Sequence, residues 1–179
     1  MIKKVLTGIA ILVVGFLVFV AVKPGEFTIS RSILINTPAS TAFDLVNDFH
    51  KMQEWSPFMK MDSTAAIDFF GSASGTGAGY SWDGSGRTGR GRMTIVDSRE
   101  NELIGINLEF SRPFKAVNSV EFKFEPRGDQ TKVTWSMSGH NTFVPKAFST
   151  IFNMDKMVGS EFEKGLAAMK AIAEGKNKG

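Results

Sequence analysis

The sequence has no cysteine, two histidines and one tyrosine among 179 residues. The missing thiols exclude disulfides, thiolate metal sites and a cysteine nucleophile, and they leave the redox compartment open. His50 and His140 fall in different expected elements, which argues against a histidine-based metal centre; neither metal nor cofactor is expected. No Ser-His-Asp order stands out, and no residue is assigned as catalytic. An excess of charge is also lacking in most of the chain. The formal net charge is +3, but Lys3, Lys4 and Lys23 precede Glu26, the first acidic residue, so the other 18 basic residues match the 18 acidic ones. A formally neutral domain lacks the basic face that nucleic acid requires. Arg87, Arg90, Arg92 and Arg99 form a local basic patch that reads as solvated protection of a strand edge.

A phosphate cradle is missing as well. Gly84-Ser85-Gly86-Arg87-Thr88-Gly89 has the spacing G-x-G-x-x-G, but such a loop needs a following helix whose N-terminus holds the pyrophosphate. Here a β-prone run follows, Arg92-Met93-Thr94-Ile95-Val96, so Asp83 to Gly86 reads as a hairpin turn.

What the chain does have is one long apolar run. Val5 to Val22 carries no charge over 18 residues, about 27 Å as a helix and close to the hydrocarbon thickness of a bilayer. It exceeds a signal-peptide core, and Phe19-Val20-Ala21 is a poor cleavage site, which favours an uncleaved anchor over a signal peptide. Lys3 and Lys4 lean toward a cytoplasmic N-terminus, with the rest of the chain on the outer, periplasmic or extracellular, side. The expected organisation is an anchor over 1–24, one domain over 25–175 and a disordered tail over 176–179.

After Lys23-Pro24-Gly25 the pattern changes to alternation. Phe27, Ile29, Ile33 and Ile35 share one face of a first strand, which Arg31 interrupts. A short helix is expected from about Ala39 to Phe49, ending in a loop at Pro57. Six strands follow, at 66–70, 77–83, 88–97, 103–110, 114–125 and 131–139. The last three carry one apolar face each: Ile104, Ile106, Leu108, Phe110; Phe114, Ala116, Val120, Phe122, Phe124; Val133, Trp135, Met137. A long C-terminal helix closes the chain, broken or bent, if anywhere, near Gly159. The fold class is α+β, a curved antiparallel sheet of about seven strands gripping one helix and preceded by one transmembrane helix.

That order and the residues themselves resemble the SRPBCC superfamily, the START and pollen-allergen-like helix-grip domains, and within it the polyketide cyclase/dehydrase and lipid-transport group. "RSILINTPASTAFDLVNDFHKMQEWSPF", "GYSWDGS", "GRGRMTI", "TKVTWSMSG" and "FNMDKMVGSEFEKGLAAMK" are similar to that group's blocks over about residues 25 to 175. The resemblance implies a hydrophobic cavity between sheet and long helix that takes an apolar small molecule.

Residues expected at that cavity are Trp55, Phe58, Tyr80, Trp82, Phe110, Asn118, Phe122, Trp135, Asp155, Val158 and Phe162, with Trp55 as a gate. Gly89, Gly91 and Ala116 leave volume on the inner faces, although small residues opposite aromatics are also ordinary packing. Asp155 is the one charge on its helical stripe. It reads either as a ligand or proton-transfer group, or as the ion-pair partner of Arg31. Three functions remain open at this level: a membrane-tethered carrier of a small hydrophobic or lipid-like ligand, a cyclase or dehydratase using Asp155, His140 or Tyr80, and an interaction module with a filled core. The sequence assigns no oligomeric state.

Overall fold

The computed structural model describes residues 1–84 and 88–176. The tip of the expected turn at Gly86, with Ser85 and Arg87 of the glycine motif, lies outside the described residues, as does the tail beyond Lys176. The apolar run forms α1 (Ile2–Val22), and Pro24 lies just beyond the helix, where a further turn would need its missing N–H. The chain then enters β1 (Glu26–Ile35).

The sheet is built from β1 with β2 (Ala66–Phe70), β3 (Gly79–Asp83), β4 (Arg90–Arg99), β5 (Leu103–Arg112), β6 (Ala116–Arg127) and β7 (Gln130–His140). The strands lie in the order β1-β7-β6-β5-β4-β3-β2, antiparallel throughout. The strand after Gly89 confirms that no helix follows the glycine motif. Phe114 departs from expectation: β6 starts only at Ala116, and Phe114 sits in the preceding turn, 53% exposed, rather than on the inner face.

Three short helices replace the expected one: α2 (Ala39–Asn47), α3 (Phe49–Trp55) and α4 (Pro57–Lys60). Asp48 is the joint between the first two. Its extended backbone ends α2, and its carboxylate accepts the His50 N–H at 2.8 Å to start α3. Pro57 does not open a loop but takes the first position of α4, where its missing N–H costs nothing.

The expected single C-terminal helix is divided, and not at Gly159, into α5 (Phe143–Ile151) and α6 (Met154–Ala173). The break is at Asn153, whose side chain accepts the Lys156 N–H at 2.9 Å and begins α6 afresh. Gly159 lies within unbroken α6, where the Arg31 guanidinium occupies the space a Cβ would take. α6 packs across the sheet on β1, and its end is fastened where Lys170 donates to the Leu34 carbonyl and Glu174 accepts the Asn36 N–H at 2.8 Å. The core therefore concentrates at the end of the sheet where β1 finishes: Ile35, Val46, Phe49, Ile104, Val133, Leu166 and Met169 are all 1% exposed or less.

Candidate functional site

The inner face of the sheet changes character along its length. At the end where β1 finishes, Ile35, Val133, Phe124 and Ile104 are buried. At the end where β1 begins, the registers set Phe27 beside Gly139, Gly139 beside Asn118, Ala116 beside Phe110, Phe110 beside Gly91, and Gly91 beside Trp82. Phe27, Trp82, Met93, Phe110 and Met137 at this end are only half-buried, although all pack against the core. Two glycines shape the row by close approach. A Cβ at Gly91 would meet Trp82 Cη2 at 2.5 Å, and one at Gly139 would run into Asn118 Oδ1 and lie 3.0 Å from Phe27 Cε1. The volume expected above Gly91 is thus taken by the Trp82 ring.

Between the two ends the space beneath α6 is filled with rings. Trp135 stacks on Phe162 with centroids 4.1 Å apart and on Phe122 at 4.9 Å, and Trp55 and Phe58 pack edge-on against Trp135 at 5.5 and 5.8 Å. Trp55, expected as a gate, is 1% exposed within this stack, its Nε1 donating to the Leu45 carbonyl at 2.8 Å. Phe58 stands at the margin, 37% exposed. Tyr80, Trp82 and Phe110 form a second chain of rings, 5.7 and 5.6 Å apart. Val158 is half-buried on α6 and Asn118 is 9% exposed in the half-open row. The Trp135 Nε1 donor is buried and has no acceptor among the described residues.

The expected polar groups do not converge. Asp155 is 62% exposed and pairs with Arg31 at 3.0 Å, while Glu163 holds the Arg31 Nε at 2.8 Å. Hydrogen bonding to Arg31 holds the Asp155 carboxyl below its usual range and raises the guanidinium pKa in turn. Tyr80 donates to Met93 Sδ at 3.2 Å, and burial pushes its phenol far above the ordinary value. His140 is exposed at the end of β7, and His50 stacks on Phe69 at 4.0 Å. The described arginines of the basic patch are spent on neighbours, Arg90 on Asp83, Arg92 on Glu109 and Arg99 on Asp97, and Arg87 lies outside the described residues.

Two of the depressions in the surface of the described residues lie away from the space between sheet and α6. One of about 770 Å³ is bordered by α2, α3 and the β4–β5 turn and is largely polar, with Asp44, Asn47, Lys51 and Glu54. The other, about 600 Å³, is bordered by Thr28, Ser138, Ser119 and Asn107, which the registers set in one row on the face away from the core.

A family model described as polyketide cyclase / dehydrase and lipid transport matches residues 26–174, from the start of β1 to the residue after α6. The chain belongs to this family. Among solved structures of the same helix-grip fold is Ara h 8.0201, 14% identical with a TM-score of 0.58, covering 84% of this chain and 99% of that one. The Aha1 dimer from Colwellia psychrerythraea is 15% identical with a TM-score of 0.60, covering 86% and 99%. SA2116 from Staphylococcus aureus, a protein of unknown function, is 13% identical with a TM-score of 0.61, covering 88% and 99%. No curated protein matches the sequence. At these identities the neighbours establish the fold alone, while the family description points to hydrophobic ligands.

Set on this polyketide cyclase/dehydrase-type fold, the half-open row adds Phe27, Met93, Met137 and Gly139 to the residues singled out from the sequence. Their signal was present as alternation, but alternation marks a face and not how far along that face the helical cover extends.

Proposed function

We propose that the protein holds a small hydrophobic or lipid-like ligand at the half-open end of its sheet, tethered by α1 to the membrane that supplies it. The graded burial along the inner face carries this reading: Phe27, Met93, Phe110 and Met137 sit half-covered beside a buried core. Apolar surface left in water is unfavourable by about 25 cal/mol per Å², which a guest placed over the row recovers. The ring stack around Trp135 limits that guest to the end of the sheet. α1 has the length and apolarity of a membrane span, with a mean hydropathy of 3.0 over an 18-residue window, a test that signal sequences also pass. Its exposed apolar side chains support the tether, and Lys3 and Lys4 ahead of it support an orientation with the N-terminus cytoplasmic and the domain across the membrane.

The test is photolabelling of the full chain in vesicles containing a diazirine phospholipid, with adducts mapped by mass spectrometry. Adducts are expected on α1 and also on peptides carrying Met93, Phe110 and Met137. Met137→Trp, which fills the row, removes the strand adducts and leaves those on α1. Labelling confined to helices, with none on the strands, refutes ligand binding; an unlabelled α1 refutes the tether.

A further inference from the structure

α5 is amphipathic the wrong way round. At 3.6 residues per turn, Phe143, Ala147, Ile151, Val144, Phe148 and Phe152 fall on one half of the helix and its continuation, and Pro145, Lys146, Ser149 and Thr150 on the other. On a soluble globule the apolar half faces inward. Here Phe143, Val144, Phe148, Ile151 and Phe152 are 43–67% exposed, while the polar half is half-buried. The polar half faces the end of α1: Lys146 Nζ donates to the Ala21 and Lys23 carbonyls at 3.0 Å, and Lys23 Nζ donates to Thr150 Oγ1 at 3.2 Å. Val20 is the one buried residue of α1, in the turn that packs on α5.

We infer that α5 is an interfacial helix, lying in the plane of the bilayer with its phenylalanines among the upper acyl chains. The inference rests on the reading of α1 as a membrane span. Whatever lipid surrounds α1 at its last turn is continuous with what covers α5, because the two helices are bonded together at that level. An apolar face of this kind seats about 5–10 Å into the headgroup and acyl boundary. Further exposed apolar side chains stand at the same end of the sheet, in the β5–β6 turn and the start of β6. Phe114 and Val117, 53% and 64% exposed, lie at the end of the sheet where β1 begins, directly after α1. The half-open inner row therefore opens toward the membrane surface.

The absence of cysteine makes the test direct. Single cysteines are introduced into the full chain at exposed sites, Ile11→Cys in α1, Phe148→Cys and Ile151→Cys in α5, and Asp129→Cys in the β6–β7 turn. Each is labelled with a small fluorophore in vesicles of phosphatidylcholine and phosphatidylglycerol. Lipids spin-labelled near the headgroup should quench positions 148 and 151 most strongly, lipids spin-labelled near the chain end should quench position 11, and aqueous iodide alone should quench position 129. Iodide quenching at 148 and 151 with position 11 still lipid-quenched overturns the interfacial helix and leaves the tether standing. Loss of lipid quenching at position 11 overturns the tether itself. Protection of 148 and 151 from both quenchers means that protein covers α5, a second copy included, and also overturns the inference.

Discussion

Two glycines of one helix differ only in what stands over them, and an alanine at each should give opposite results. A Cβ at Gly165 would lie 2.8 Å from Trp135 Cζ3, 2.9 Å from Pro57 Cδ and 3.5 Å from Trp55 Cζ3. All three are atoms of rings, and Trp135 is clamped between Phe122 and Phe162 at 4.9 and 4.1 Å, so the neighbours cannot give way singly. Overpacking of this kind costs about 1–3 kcal/mol, and two contacts below 3 Å put Gly165→Ala at the upper end. The gain in helix propensity returns about 1 kcal/mol, leaving a loss of about 2 kcal/mol. At Gly159 the Cβ meets the guanidinium of Arg31, the mobile end of a side chain whose acidic partners are exposed. Exposed pairs contribute little, so Gly159→Ala should leave stability unchanged or raise it by at most about 1 kcal/mol. The assay is thermal unfolding of the full chain in detergent micelles, followed by circular dichroism and tryptophan fluorescence. For a chain of this size, 2 kcal/mol lowers Tm by about 4–8 °C. If Gly165→Ala matches or exceeds Gly159→Ala in Tm, the ring stack has slack, and the account of a filled centre is wrong.

Other expectations follow from the charges. Glu174 accepts from Lys176 at 2.6 Å and from the Asn36 N–H, which hold its carboxyl at about 2 against an ordinary value of 4.5. A carboxylate with a depressed folded pKa contributes stability that is present above the unfolded value and lost as pH falls from about 4.5 toward 2. Acid titration of Glu174→Gln should therefore show a shallower loss across that window than the parent chain; equal slopes would remove Glu174 from the linkage. Arg31→Gln should destabilise slightly at low ionic strength and indistinguishably at high salt, measured by the same unfolding assay, because Asp155 and Glu163 are 62% and 63% exposed.

The sheet was legible because its strands obey one rule at short range. Ile104, Ile106 and Leu108 alternate with polar neighbours, and their partners Phe122, Val120 and Asn118 fall opposite them in register. Arg31 was legible for the opposite reason: one charge on an apolar face needs a partner, and Asp155 was the one charge on the facing stripe. The helix boundaries were not legible in the same way. Asp48 ends one helix and caps the next, and Asn153 caps α6 directly after Phe152 has ended α5, a local competition between backbone and side-chain bonding that apolar periodicity does not register. Burial along a face was the least legible, since Trp55 and Phe58, three residues apart, finish at 1% and 37% exposure according to whether the ring enters the stack or stands beside it.

Connectivity explains why the open end is the one nearest α1. β1 starts directly after α1 and runs away from it, so the helices that follow at Ala39 cover the far end of the sheet. β7 returns to the near end, where His140 pairs with Glu26, and the chain must cross back under the sheet as α6 before it can finish beside Asn36. Beside β1 and β7 the near end is left to α5 and the first turns of α6, and α5 presents its polar half to α1. An α5 turned the other way would bury Phe148 and Ile151 in the protein and leave Lys146 and Thr150 outward. The exposed side chains of the outer half fit the interfacial seat proposed for α5, and the direction of β1 puts the half-covered row of Phe27 and Met137 at the end of the sheet that follows α1.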